Sequence, residues 1–428
     1  MSSGAAEAAL RRALAAPRDV GEPAWLQRLR AGARDAFLAS GLPTTRHEDW
    51  RYTPLARLEA LDLEPREASC EQRAGTQEGR GEHRLVFANG RLQPELSDVG
   101  EIRGCRVESL AEALVRHPEQ VAEALGRCGD PKRRPFEALN TALFRDGAFI
   151  SLAPGAVLDR PIRLRYESLS GPAHVRSVVD AGADSRAVVL EEHVGRSASP
   201  SFVNAVTELS LARGAQVDYV LVQRLPESSV GFTAVLSRQE AASRLALHSI
   251  ALGGALARVE LEARLEGERA ELGMNGLYLG RGAQLQDQHT TIDHAAPCTS
   301  SRELFKGILD GRAHGVFHGR IHVRPDSQKI DASQTNRALL LSDGAVIDSK
   351  PQLEIYADDV KCSHGASVGQ LDPDQIFYLR ARGLDLERAR ALLTFGFASE
   401  VLAKLPLAHL RESLEREVLA WLPLGGAP

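Results

Sequence analysis

Three stretches of this 428-residue chain gather side chains able to bind metal or exchange protons. The densest is His314-Gly-Val-Phe-His318-Gly-Arg-Ile-His322, preceded by His289, His294 and Cys298. Val316, Phe317, Ile321 and Val323 favour a strand there, in which positions four apart share a face. At ~3.3 Å per residue, successive imidazoles stand ~13 Å apart. A metal bonded at about 2.1 Å cannot be held by neighbours in such a row. The row reads as a polar ladder on a solvated sheet face. The alternative is a metal enzyme built from His289, His294, His314, His318 and His322.

The second stretch is Lys361-Cys362-Ser363-His364-Gly365. In a strand, Cys362 and His364 project to the same side. A thiolate beside Lys361 and an imidazole is expected to have a lowered pKa and to suit a soft metal. The competing reading is a buried cysteine next to a turn. The third stretch runs Arg46-His47-Glu48-Asp49-Trp50-Arg51-Tyr52-Thr53-Pro54. Its charges and rings suit a docking patch, or a capping and packing segment.

The usual catalytic engines are missing. The sequence has no GxxxxGK phosphate loop, no GxGxxG after a strand and no HExxH, so a self-sufficient enzyme is disfavoured. The formal net charge of −5 is wrong for a nucleic-acid binder. Cys70, Cys105, Cys128, Cys298 and Cys362 form no CxxC pair, against a disulfide framework or a zinc ribbon. No apolar run approaches the roughly 18 residues of a membrane span. Glu7, Arg11 and Arg12 interrupt any export signal, so the expected compartment is the cytoplasm.

The elements that must position these residues follow from period and punctuation. Glu22-Pro23 opens a helix with Trp25, Leu29, Ala33 and Phe37 on one side, and Gly41 ends it. Cys70–Gly81 reads as a loop, and Arg84–Ala88 as a strand with a turn at Asn89-Gly90. Helices are expected over Glu108–Arg116, Glu119–Arg127 and Phe136–Arg145. Residues 1–145 thus form a mostly helical domain.

After Asp146 the period becomes two. Ile162-Arg-Leu-Arg-Tyr166, Gln216-Val-Asp-Tyr-Val-Leu221 and Ala257-Arg-Val-Glu-Leu-Glu262 alternate as half-buried strands do. Gly-Ala pairs from Gly155-Ala156 to Gly365-Ala366 punctuate the run. So long a run of strands suits a parallel β-helix capped by helices at both ends, with a sandwich second. Residues 146–371 form that core. Helices return after Asp372-Pro373, an N-cap followed by a proline. This 372–428 block is too small for a full core of its own, which leaves an apolar face for a partner.

These residues carry a resemblance. Glu48-Asp-Trp-Arg-Tyr-Thr53 is similar to the N-terminal E-x-W-R-x-T motif of the SufD branch of the SufB/SufD family. Phe136–Gly147 resembles that family's entry to its β-domain. The densest likeness runs from Asp293-His294 through Phe305-Lys-Gly-Ile-Leu309, Gln334-Thr-Asn336 and Val360-Lys-Cys-Ser-His-Gly-Ala366 to Gly396-Phe397. It implies a mainly β chain whose right-handed parallel β-helix is flanked by helical domains. It also implies a cytoplasmic scaffold subunit of the SUF iron–sulfur cluster machine.

By the same resemblance, the partners are SufB and the ATPase SufC, the latter docked by the C-terminal helices. A transient iron–sulfur cluster would form between the two β-helices. His364 would supply a ligand to it, with Cys362 beside it. Gln334-Thr335-Asn336 lacks the cysteine that SufB-like chains carry there, and Gly365 replaces their glutamate. Homodimerisation of the isolated chain is left open. A β-helix polysaccharide lyase or hydrolase is the rival reading; the 5% aromatic content is low for stacking on sugars.

Overall fold

The computed structural model describes residues 4–16, 21–64, 81–195 and 200–422. No helix among them is long and apolar enough to cross a membrane. The Cys70–Gly81 segment lies outside them apart from Gly81.

Strands alternate between two sheets. Successive strands of the core enter a sheet of ten strands and a sheet of nine in turn, counted over the described residues. Pairing is parallel along the whole core: Leu256 stands opposite Leu285, Leu285 opposite His314, and His314 opposite Val346. The result is a parallel β-solenoid of about 7 turns with helices at both ends. Gly155, Gly214, Gly254 and Gly282 sit at the turns with positive φ, which glycine adopts without strain. Gly365-Ala366 departs from the expected punctuation: it lies inside the strand Val360–Gly369.

The two sheets enclose an apolar lumen that includes Ile162, Val189, Tyr219, Leu247, Met274 and Phe305. Their outer faces are apolar too, each covered by helices. Ala24–Ser40 and Pro135–Leu143 belong to the layer over one sheet, packing with Phe202, Phe232, Leu256 and Leu285. Leu386–Leu402 and Ala408–Trp421 lie over the other, on Val220, Ile250, Leu277 and Ile308. Apolar residues on both faces are what buried parallel strands require.

Three strands before residue 146 join the sheets, the short Arg91–Leu92 by pairing with the first of them. His83–Ala88 pairs with Ile162–Ser168, and Cys105–Ser109 runs antiparallel to Ala148–Leu152. Glu108 is therefore strand, and the helix expected from it begins at Leu110 under the Ser109 cap. Asn89 and Gly90 make the expected turn, both at positive φ.

Candidate functional site

The solenoid ends at two strands, Val346–Ile355 and Val360–Gly369, each last in its sheet. Each has one paired edge among the described residues. Val346, Tyr356 and Val368 are exposed at this end. Large apolar side chains beside unpaired strand edges mark a surface built to be covered.

Cys362 and His364 sit on the last strand. Cys362 is opposite Ala332 and His364 opposite Gln334. Both point to the lumen side, as their buried register partners do. Cys362 is half-buried against the lumen's apolar core, and His364 is exposed. The lowered thiol pKa expected at Cys362 is not found. Burial pushes the thiol up, Asp331 adds to this, and a backbone hydrogen bond from Ala332 acts the other way. Lys361 is next in sequence, so strand alternation turns it to the opposite face. Cys105 and Cys128 are pushed further, both up to about 12 by burial. The last-strand cysteine is thus more accessible to ionisation than these two.

The histidine row forms the ladder expected of it, but not on a solvated face. Asp49 and Trp50 of the N-terminal segment cover its middle, so that His318 is buried. Each imidazole has its own partner. His314 Nε2 lies 2.7 Å from Asp348 Oδ2, and His318 Nε2 lies 2.8 Å from Gln352 Oε1. His289 lies 2.9 Å from Asp287. His294 projects inward between Thr299 and Ser301, and burial pulls it down to about 4, so it is neutral. Among the described residues, no three His, Cys, Asp or Glu side chains converge on a metal position. The metal-enzyme alternative loses its geometric basis.

The Arg46–Pro54 stretch proves to be a clasp. Trp50 is buried against Phe136 and Phe232, with the Arg258 guanidinium 3.8 Å from its ring centre. Thr53 Oγ1 donates to buried Asp287 at 2.5 Å, and Arg258 donates to the same carboxylate at 2.7 Å. Together these bonds fasten the N-terminal segment to the solenoid.

Two features of the site were not read from sequence. Glu303 and Gln334 are buried in the lumen on the same column as His364, and Gln334 Nε2 donates to Glu303 Oε2 at 2.8 Å. The signal was present in Ser301-Arg-Glu-Leu-Phe305, where a carboxylate falls on the inward beat of an alternating strand. Lys306, on the outward beat, donates to Phe397 O at 2.9 Å and pairs with Glu400. It ties the helix Leu386–Leu402 to the strand that carries Glu303. Phe377 and Tyr378 of the preceding helix Pro373–Ala381, and Leu386 and Leu392 of this one, remain exposed.

Comparison with known proteins fits this architecture. Residues 165–397 match the family model for the SUF system FeS cluster assembly SufBD core domain, and residues 81–164 match the SufBD protein N-terminal region. The chain is 33% identical over 401 residues to the iron–sulfur cluster assembly protein SufD of Escherichia coli, covering 90% of this chain and 89% of that one. It is 33% identical to an iron–sulfur cluster assembly SufBD family protein of Synechocystis, over 90% and 89% of the two chains. With SufD of Bacillus subtilis it shares 28% identity over 92% and 93%. A matching core domain, a matching N-terminal region and near-full-length likeness to SufD place the chain in the SufBD family of iron–sulfur cluster assembly proteins.

Proposed function

We propose that this chain is a SufD-like, non-catalytic scaffold subunit that presents His364, with Cys362, to a transient iron–sulfur cluster shared with a SufB-like partner. The observation that carries the reading is the position of His364. It stands exposed on the terminal strand, on the same side as Cys362, at an end whose edges are unpaired among the described residues. An imidazole and a thiol suit iron, but two donors fall short of the four protein ligands that a cluster ordinarily takes. A second chain must complete the set, and exposed Val346, Tyr356 and Val368 supply an apolar surface for it. The cluster is cargo, assembled and passed on.

The exposed Phe377, Tyr378, Leu386 and Leu392 are the proposed dock for a SufC-like ATPase. Movement of the helix Leu386–Leu402 then reaches the site through Lys306 and its strand. The test is His364→Ala in the native host. The complex should assemble normally while cluster formation falls. Unchanged cluster maturation would remove His364 from the mechanism. Removal of residues 372–428 should abolish ATPase co-purification; retained binding places the dock elsewhere.

A further inference from the structure

The buried pair beneath His364 lacks a packing rationale. Glu303 and Gln334 are 3% and 1% exposed. Glu303 accepts from Thr290 as well as from Gln334, while Gln334 Oε1 has no hydrogen-bond partner among the described residues. Buried polar atoms left so are costly, and apolar residues of similar size in their place are often neutral or stabilising. The lumen is nevertheless shaped to admit them. A Cβ at Gly319 would lie 2.3 Å from Gln334 Nε2 and 2.9 Å from its Oε1.

The register explains what the pair serves. Met274, Glu303, Gln334 and His364 are successive in-register neighbours. Adjacent strands lie about 4.8 Å apart, which sets the Gln334 side chain one strand below the His364 ring, although its Oε1 makes no bond to that ring in this structure. Its Nε2 is committed to Glu303 at 2.8 Å. Its Oε1 is left without a hydrogen-bond partner among the described residues. A metal-bound imidazole ordinarily donates its second ring N–H to such an oxygen, and that bond selects the nitrogen left for the metal.

We propose that Gln334 is the acceptor that orients the His364 ring, and that Glu303 holds the Gln334 amide in the sense this requires. Both are positioning residues; neither touches the cargo. The proposal rests on the reading of His364 as a cluster ligand.

The test uses the full chain with its histidines isotopically labelled, His364→Ala identifying the His364 ring signals. Gln334→Leu and Glu303→Leu should both move those signals and change the balance of ring tautomers. Glu303→Gln keeps an acceptor for Gln334 Nε2 and should leave them as in the wild type. In cells, cluster formation should fall about tenfold in the leucine variants and be rescued in Glu303→Gln. Gly319→Ala crowds the amide without removing it. It should give the same ring shift, and it serves if the leucine variants do not fold. An unchanged His364 ring spectrum in Gln334→Leu overturns the proposal, as does a Glu303→Gln variant as defective as Glu303→Leu. Failure of the underlying reading looks different: His364→Ala would form clusters normally while the ring shifts persist.

Discussion

One column of side chains crosses the whole solenoid and changes character on the way. In the early coils it reads Ile162, Val189, Tyr219, Leu247 and Met274, all completely buried. In the last coils it reads Glu303, Gln334 and His364. The backbone is the same in both halves: parallel, in register, inward-facing. Only the chemistry differs. Along this column the early half follows the rule that a lumen is filled with apolar side chains, which maximises buried area; beside the column Glu191 is buried too, but it is bonded to His193, Thr207 and Tyr219. The late half breaks it, and breaks of this kind concentrate where function overrides stability.

The largest test exchanges the rules. Leu247→Glu places a carboxylate in the early half without a partner. Unfolding free energy should drop by more than about 4 kcal/mol, read from denaturant midpoints. A loss below about 1 kcal/mol would mean that this position of the column tolerates an unpartnered carboxylate.

The next effect depends on pH. Burial pushes the Glu303 carboxyl from 4.5 up to about 7, while hydrogen bonds from Gln334 and Thr290 act the other way. His294 and Tyr278 also face this lumen, the first neutral and the second bonded to Asn336. Raising a carboxyl pKa on folding means that its stabilisation is complete below about 4.5 and is lost as pH rises through 7. Relative to Glu303→Gln, the wild type should lose on the order of 3 kcal/mol across that window. Parallel unfolding curves of the two proteins from pH 4.5 to 8 would show that Glu303 is not buried as described.

Gly319→Ala should cost about 1 kcal/mol, because the Gln334 amide is the far end of a flexible side chain and gives way in part. An unchanged melting temperature would show that the amide does not fill that space. The smallest effect belongs to the column's exposed end. His364→Ala should change unfolding free energy by less than about 0.5 kcal/mol. A larger loss would make His364 a structural residue like the members of the column above it.

Much of this arrangement was legible before any coordinates. Alternation in Ile162–Tyr166 and Ala257–Glu262 announced strands, since a half-buried strand must repeat every two residues. Proline after Asp372 and glycine at Gly41 marked helix ends, because the backbone permits little else there. The Lys361–Gly365 motif singled out Cys362 and His364. Local pattern sufficed wherever the cause was local.

What depended on chains of contact between distant residues was not legible. The sequence does not say that His364 stacks on Gln334 and Gln334 on Glu303, because register is set by the turns of the whole solenoid. Nor does it say that Cys362 faces apolar residues that raise its thiol pKa, or that Asp49 and Trp50 roof the histidine row. In sequence, the residues from Glu48 to Thr53 are a charged aromatic patch. The tertiary structure makes them a clasp, because Asp287 and Arg258, more than two hundred positions away, arrive beneath them. Residue types and their period determined the strands and the candidate ligands by themselves. Only the stacking of coils decided which strand came last and what lay behind His364, because burial and in-register contact are properties of the assembled solenoid.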